Sequence, residues 1–321
     1  MGPQSVPASG LASDATVVTL DIGGTTIKGA RVAADGTELA RFDRPTGAAA
    51  GVEEVVRRVR VAASALADAS TVAVGLSVPG LVDTAAGVAR HAVNLGFRNT
   101  PLAALVSAEV GLPVVIEQDS RAAAVAESEI GLGRGSRDLM VVVLGTGIAA
   151  GLVVAGKPVT GAGGSAGELG HLPVYPEGEP CACGQRGCLE VYASAAGIAR
   201  RYVAAGGRSS TTAAQIAGAL GRDKLANQVW AEAAAALGLA LATSTLLLDP
   251  ALIVLAGGLT GAGEALLNPV RTQLQAALAW RPAPLVATSP LGGTAGLLGA
   301  AILAWRAAGA SWVPVDLRGT G

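Results

Sequence analysis

The sequence is poor in charge. Only 15% of its residues are Asp, Glu, Lys or Arg, and the formal net charge is −1. A chain that binds nucleic acid usually gathers cations on one face, and no Lys/Arg run here supplies such a patch. Arg57, Arg58 and Arg60, and Arg200 with Arg201, sit in helical patterns and read as solvated faces. The N-terminus lacks a basic start followed by an apolar stretch, so no secretory leader is expected. Cysteine is scarce as well: there are three, all between positions 181 and 188. An odd, clustered set without an export signal argues against a disulfide framework and for metal binding in a reducing, cytoplasmic compartment.

What the chain has in abundance is hydrophobicity, at 51% of residues, which raises the question of a membrane span. The uncharged run Leu139 to Gly156 has 18 residues and just reaches spanning length. Gly145, Gly147, Gly151 and Gly156 punctuate it, so two buried strands joined by a Gly-Thr-Gly turn fit it better. The run Ala233 to Leu248 ends abruptly at Asp249-Pro250 and reads as a buried core helix. Neither run calls for a membrane partner.

At 321 residues, two domains are expected. Strands are predicted at Val17–Leu20, Lys28–Val32, Thr37–Arg41, Val72–Leu76, Val114–Glu117 and Leu252–Leu255, besides the 139–156 hairpin. Helices are predicted at Val52–Ala69, Pro101–Glu109, Ser120–Ile130, Ala262–Ala279 and Gly293–Ala308, with a loop over 157–188. Strand hairpins followed by strand–helix alternation, without a short repeat, indicate an α/β fold with mixed sheets. The expected division is a tail at 1–15, a smaller domain at 16–118 completed by a C-terminal helix over about 300–321, and a larger domain at 119–299. Two such halves would place a ligand cleft between them.

Four groups of residues carry chemistry. Asp21-Ile-Gly-Gly-Thr-Thr-Ile-Lys28 follows a buried strand. Gly23 and Gly24 let the backbone approach a ligand, and Thr25 and Thr26 offer hydroxyl and N–H donors to phosphate oxygens. An acid at a strand end, Asp21, can hold a magnesium ion through water. Gly145-Thr146-Gly147 repeats this chemistry in the second half, so the pair would grip a polyphosphate, although each turn alone could be an ordinary hairpin. Asp119 stands where a strand ends and a helix begins. It could be a simple N-cap, or a general base that takes a proton from a hydroxyl during phosphoryl transfer. Finally, His171, Cys181, Cys183 and Cys188 offer one imidazole and three thiolates, a closed tetrahedral donor set for structural zinc. Glu168 and Glu190 flank that set and are candidates for gripping hydroxyls.

Together these residues resemble the ROK family of bacterial sugar kinases and sugar-responsive regulators, from about Val17 to about Ala308. The most specific parts are Glu168-Leu-Gly-His171 and Cys181-Ala-Cys-Gly-Gln-Arg-Gly-Cys-Leu-Glu190, with Asp21-Ile-Gly-Gly-Thr as the first phosphate motif. Leu252-Ile-Val-Leu-Ala-Gly-Gly258 is similar to the family's adenosine-pocket strand, ending in Gly257 and Gly258. The resemblance implies an actin-like, ribonuclease-H-like two-domain fold, ATP with Mg2+ and a structural Zn2+. It implies Asp119 as catalytic base, and Asn94, Gln118, Glu168, His171 and Glu190 as sugar contacts. Ser77-Val-Pro-Gly80 resembles the turn that walls the sugar site. A homodimer follows from the resemblance only. Gln118 stands where Asn is usual, and Ala149 and Ala150 stand where glycines are common, which adds two methyl groups expected beside the cleft. The regulator class carries a DNA-binding module before the first phosphate motif. The roughly 20 residues before Asp21 are Ser/Ala/Pro-rich and too few for one, which favours a kinase over a repressor or an idle sensor. Glucose is the leading substrate; mannose, N-acetylglucosamine, N-acetylmannosamine, fructose and allose stay open, as does polyphosphate as donor.

Overall fold

The computed structural model describes residues 11–310. They form two compact units: residues 11–134, 160–165 and 294–310 in the first, and residues 135–159 and 166–293 in the second. Most of the tail expected at 1–15, and the end of the C-terminal helix expected over 300–321, lie outside the described residues.

The first unit opens with β1 (Thr16–Ile22), β2 (Thr26–Ala33) and β3 (Glu38–Pro45). β1 is buried on both faces because it becomes the central strand. Helix α1 (Val52–Leu66) buries Val55, Val59, Ala62, Ala63 and Leu66, one stripe at helical spacing. After β4 (Thr71–Val78) come the short strands β5 (Leu81–Asp83), β6 (Val88–Ala92) and β7 (Phe97–Thr100). These form a separate small sheet that the sequence reading did not anticipate. Helix α2 (Leu102–Val110), β8 (Val114–Gln118) and α3 (Asp119–Ile130) follow. The main sheet runs β3-β2-β1-β4-β8, antiparallel through its first two pairings and parallel through the last two.

The second unit contains β9 (Leu139–Leu144), β10 (Ile148–Val154) and the two-residue β11 (Lys157–Pro158). Helices α4 (Leu189–Ala193), α5 (Ala195–Ala204), α6 (Ala213–Gly218) and α7 (Lys224–Leu248) lead to β12 (Leu252–Ala256), α8 (Glu264–Ala277) and β13 (Leu285–Thr288). Its sheet runs β11-β10-β9-β12-β13, with the same alternation of antiparallel and parallel pairings as the first. Each unit is thus built on a ribonuclease-H-like sheet, and the doubled arrangement is the actin-like fold. The 18-residue apolar run is the β9–β10 hairpin, as the glycines indicated. α7 is long and apolar enough to cross a membrane, yet 56% of its most apolar window is buried within the protein. It packs through Val229, Trp230, Ala233, Leu237 and Leu241 into the second unit's core.

The chain then returns to the first unit as α9 (Ala295–Ala307). α9 packs against β4 and against α3, so α3 belongs with the first unit, not with the larger domain to which the sequence reading gave it. Small residues make this close approach possible. A methyl group on Gly299 would fall 1.8 Å from the carbonyl oxygen of Ala122 on α3. Gly299→Ala is therefore expected to lower stability by about 1–3 kcal/mol through overpacking, read as a lower urea midpoint at unchanged slope.

Candidate functional site

In the first unit, β1, β4 and β8 are parallel, so their carboxyl ends lie along one edge of the sheet, the edge at which open α/β sheets bind ligands. The register sets which side chains meet there. Asp21 pairs with Ser77, Ser77 with Glu117, and Val78 with Gln118. Asp119 is the next residue after Gln118, and it begins α3. Its backbone already has helical character: Gln118 occupies the N-cap position, and Asp119 takes the first helical place rather than the cap considered from sequence. One carboxylate oxygen of Asp119 accepts from the N–H of Ser120 at 2.6 Å. Gln118 is buried, and its Oε1 accepts from Ser120 Oγ at 3.1 Å.

The Gly23–Thr25 turn joins β1 to β2 at the same edge. Gly23 N–H donates to Thr26 O at 2.9 Å, and the buried Thr46 donates its hydroxyl to Gly23 O at 2.6 Å, so the turn is held from behind. Gly24 and Thr25 are exposed. Asn94, on the 3-10 turn Val93–Leu95, stands beside them: a Cβ on Gly24 would lie 3.5 Å from Asn94 Cβ. Asp21 lies at the base of the turn, accepting from Ser77 Oγ at 2.8 Å. Burial raises its pKa above the ordinary 3.8, while the Ser77 hydrogen bond and Lys28 pull the other way.

In the second unit the Gly145–Gly147 turn links β9 to β10. β12 pairs with β9 through Ala256 and Val143, so the Gly257-Gly258 turn leaves the sheet alongside it. Next to Gly258 is a cavity of about 390 Å³ lined by Ala213, Ala217, Trp230, Leu259 and Ala262. The Trp230 indole is fixed there by donating to Ala265 O at 2.9 Å. Glu190 reaches the glycine turn directly. Its Oε2 accepts from Ile148 N–H at 3.0 Å, and a methyl group on Gly147 would fall 2.5 Å from that oxygen. One carboxylate oxygen expected to face a ligand hydroxyl is thus already engaged with the backbone. Ala150 also differs from expectation. Strand alternation turns its methyl group into the core, and only the Ala149 side of the strand is half-exposed.

The four metal-binding candidates converge. One ligand atom from each of His171, Cys181, Cys183 and Cys188 lies within 4.8 Å of the others. Cys183 Sγ is 3.7 Å from Cys188 Sγ, and Cys181 Sγ is 3.9 Å from His171 Nδ1. Tetrahedral ligands at zinc–sulfur distances are about 3.8 Å apart, so the donor set fits that ion. The loop is shaped by Gly184 N–H donating to Cys181 O at 3.0 Å, and by Leu189 N–H donating to Leu172 O at 2.9 Å. A further contact closes it from the side: Glu179 N–H donates to Tyr192 Oη at 2.8 Å, and the Arg201 guanidinium stacks 4.7 Å from the same ring. Burial pushes the Cys188 thiol up to about 12, whereas the Gln185 N–H pulls Cys183 down. A cation bound here must therefore displace protons, and its affinity weakens in acid. Glu168 starts the 3-10 turn Leu169–His171, whose first hydrogen bond runs from His171 N–H to Glu168 O at 3.0 Å.

The sequence reading passed over one buried side chain at this edge, Arg121, which pairs with Glu117 at 2.7 Å. The only signal available was a lone cation inside an alanine-rich helix.

Known proteins resemble this chain over most of its length. The model of the ROK family matches residues 17–307. A glucokinase from Halalkalibacterium halodurans is 35% identical over 289 residues, covering 82% of this chain and 86% of its own. An N-acetylmannosamine kinase from Escherichia fergusonii is 33% identical over 291 residues, covering 90% and 98%. The crystal structure of a ROK family glucokinase from Streptomyces griseus, in complex with glucose and AMPPNP, is similar with a TM-score of 0.80 at 34% identity, covering 91% of this chain and 99% of that one.

The raised pKa of Asp21 leads to a prediction. A carboxyl whose folded pKa lies above its unfolded value adds stability that is full below the unfolded value and is lost as pH rises through the folded one. At pH 7 the ionised Asp21 is therefore a cost to folding. Asp21→Asn should raise the melting temperature at pH 7, with the gain shrinking as pH falls toward 3.8 and below. A melting temperature at pH 7 equal to or below that of the native protein would contradict this.

Proposed function

This chain belongs to the ROK family, and from that premise we propose that it phosphorylates a hexose with ATP, glucose to glucose 6-phosphate being the leading reaction. The observation that carries the reading is the register at the edge of the first sheet. Asp21, Ser77 and Glu117 share one row of that register, and Gln118 and Asp119 follow directly after Glu117.

In the proposed mechanism the sugar hydroxyl loses its proton to Asp119 as it attacks the γ-phosphorus. The ADP leaving group departs on the opposite side of the transferred group. Gly23 and Gly145, whose N–H groups donate to Thr26 O and Gly147 O, shape the two turns, and the donors of Gly24, Thr25, Thr26 and Lys28, with those of Thr146 and Gly147, receive phosphate oxygens. Asp21 would hold a hydrated Mg2+, which would supply charge neutralisation on the phosphates. The adenosine takes the cavity beside Gly257 and Gly258, whose apolar lining suits a base ring. Asn94, Gln118, Glu168, His171 and Glu190 bind sugar hydroxyls, with His171 Nδ1 on the metal side and Nε2 toward the sugar. Zinc at His171, Cys181, Cys183 and Cys188 is structural: all four positions are protein ligands, so it stiffens the loop between Glu168 and Glu190 and takes no part in bond making. Three free cysteines gathered in one cluster support a cytoplasmic location. A homodimer is supported by the family resemblance.

The second reading keeps the chemistry and changes the sugar, to an N-acetylhexosamine, as the N-acetylmannosamine kinase relative suggests. A coupled ADP-release assay across hexoses and N-acetylhexosamines distinguishes the two, and no ADP release with any sugar would overturn both.

Asp119→Asn should leave sugar affinity near that of the native enzyme and lower kcat by at least about a hundredfold, the ordinary worth of a general base. Near-native turnover would reduce Asp119 to a helix-starting residue. Purified protein should carry about one zinc per chain. Cys183→Ser should lose it and raise the sugar KM more than the ATP KM, because the ordering entropy of the loop is then taken from sugar binding. Metal analysis paired with both titrations checks this, and a zinc-free, fully active native protein would defeat it.

A further inference from the structure

Among the described residues, the bulkiest fully buried side chain is a charged one, Arg121. It lies on the first turn of α3, two residues after Asp119. A buried guanidinium is tolerated only when its donors find acceptors. Nε donates to Glu117 Oε1 at 2.7 Å, Nη1 to Gly164 O at 2.8 Å and Nη2 to Val82 O at 3.3 Å. The same oxygen, Glu117 Oε1, also accepts from Thr84 Oγ1 at 3.0 Å and from Gln118 N–H at 2.8 Å. All these groups belong to the first unit.

Three separate stretches therefore close on one side chain: the β8–α3 corner, strand β5 and the segment 160–165. Gly164 has a φ of 72° and approaches Val82 so closely that a Cβ there would lie 2.9 Å from Val82 O. Two carbonyl oxygens thus converge on the guanidinium. A buried ion pair is seldom more stable than an apolar pair of equal volume, so filling the core does not explain a charge at this point. A requirement for fixed geometry does, because a planar fork holds several acceptors in set directions where an alkyl chain holds none.

We propose that Arg121 is a positioning residue for phosphoryl transfer. It fixes the corner that carries Asp119, and it pins the segment whose chain runs on through Ala166 and Gly167 into Glu168. The inference rests on the kinase reading of Asp119. A general base must stay within hydrogen-bond reach of its proton, and small displacements of a catalytic group are expensive in rate.

The test compares the native protein with Arg121→Lys and with the double variant Glu117→Gln/Arg121→Met, which removes both charges and keeps most of the volume. Turnover and both KM values are measured, together with amide hydrogen exchange over residues 160–165 and β5. The double variant should melt near the native temperature, yet lose at least about tenfold in kcat, with a raised sugar KM and an ATP KM within about twofold. Exchange at 160–165 should accelerate. Arg121→Lys keeps the charge but cannot reach all three acceptors, so it should fall between the two. Native kcat and native exchange in the double variant would overturn the proposal, since the pair would then merely balance charge. If the double variant fails to fold, a folded Arg121→Lys protein with native kcat and protection overturns it equally. Exchange needs no turnover: a native protein inactive on every sugar counts against the kinase reading, while unchanged protection in the variants counts against this one.

Discussion

Backbone hydrogen-bond register between parallel strands is the constraint from which the first unit's chemistry follows. β1, β4 and β8 end at one edge because each is paired in parallel with its neighbour, and a shift of one residue would turn every side chain to the other face. That single alignment brings a carboxylate, a hydroxyl and a second carboxylate into a row whose separations the sheet dictates. Nothing in the loops has to be long or elaborate for this to happen. The turn after β1 needs only its glycines and a buried threonine behind it.

The second unit uses the same alignment differently. There the strand ends carry glycine turns and no acids, and the carboxylate at the edge, Glu190, arrives from the metal loop to accept a hydrogen bond from the first residue of β10. The loop that gathers the cysteines and the Gly145–Gly147 turn are therefore one bonded assembly. Removing the glycine at 147 would push the carboxylate away, since no side chain fits between them. The aromatic and guanidinium stack on Tyr192 holds the loop's other side, so its shape does not depend on the ion alone.

Much of this was legible in the residues. Long apolar runs closed by glycines located β1, β9 and β12, and the spacing of three cysteines and a histidine pointed to the four side chains that converge, because donor type and loop glycines are both local properties. What stayed hidden depends on tertiary context. β5, β6 and β7 are short, partly exposed and held by one another, so they offer no apolar run to read. Arg121 went unread because burial of a charge is decided by acceptors brought from β5 and from residues 160–165, far away in the chain. Ala150 was assigned to the wrong face because a one-residue difference on a strand reverses the side chain, and two adjacent alanines give no hint which is inward. The identical strand order of the two sheets leaves no repeat in the sequence, since each unit conserves hydrogen-bond topology with different side chains.

The first unit is assembled from three pieces of chain, the last of which is α9. During synthesis the ribosome delivers the strands of that sheet early, but the helix that packs on β4 and α3 comes out only after the whole second unit has been made. The first unit cannot reach its final packing as a nascent domain in the usual N-to-C order. For most of translation its sheet presents an apolar face without its covering helix. The growing chain thus exposes that face until α9 appears, and a premature stop just after position 293 would leave the first unit without its closing helix while the second stood complete.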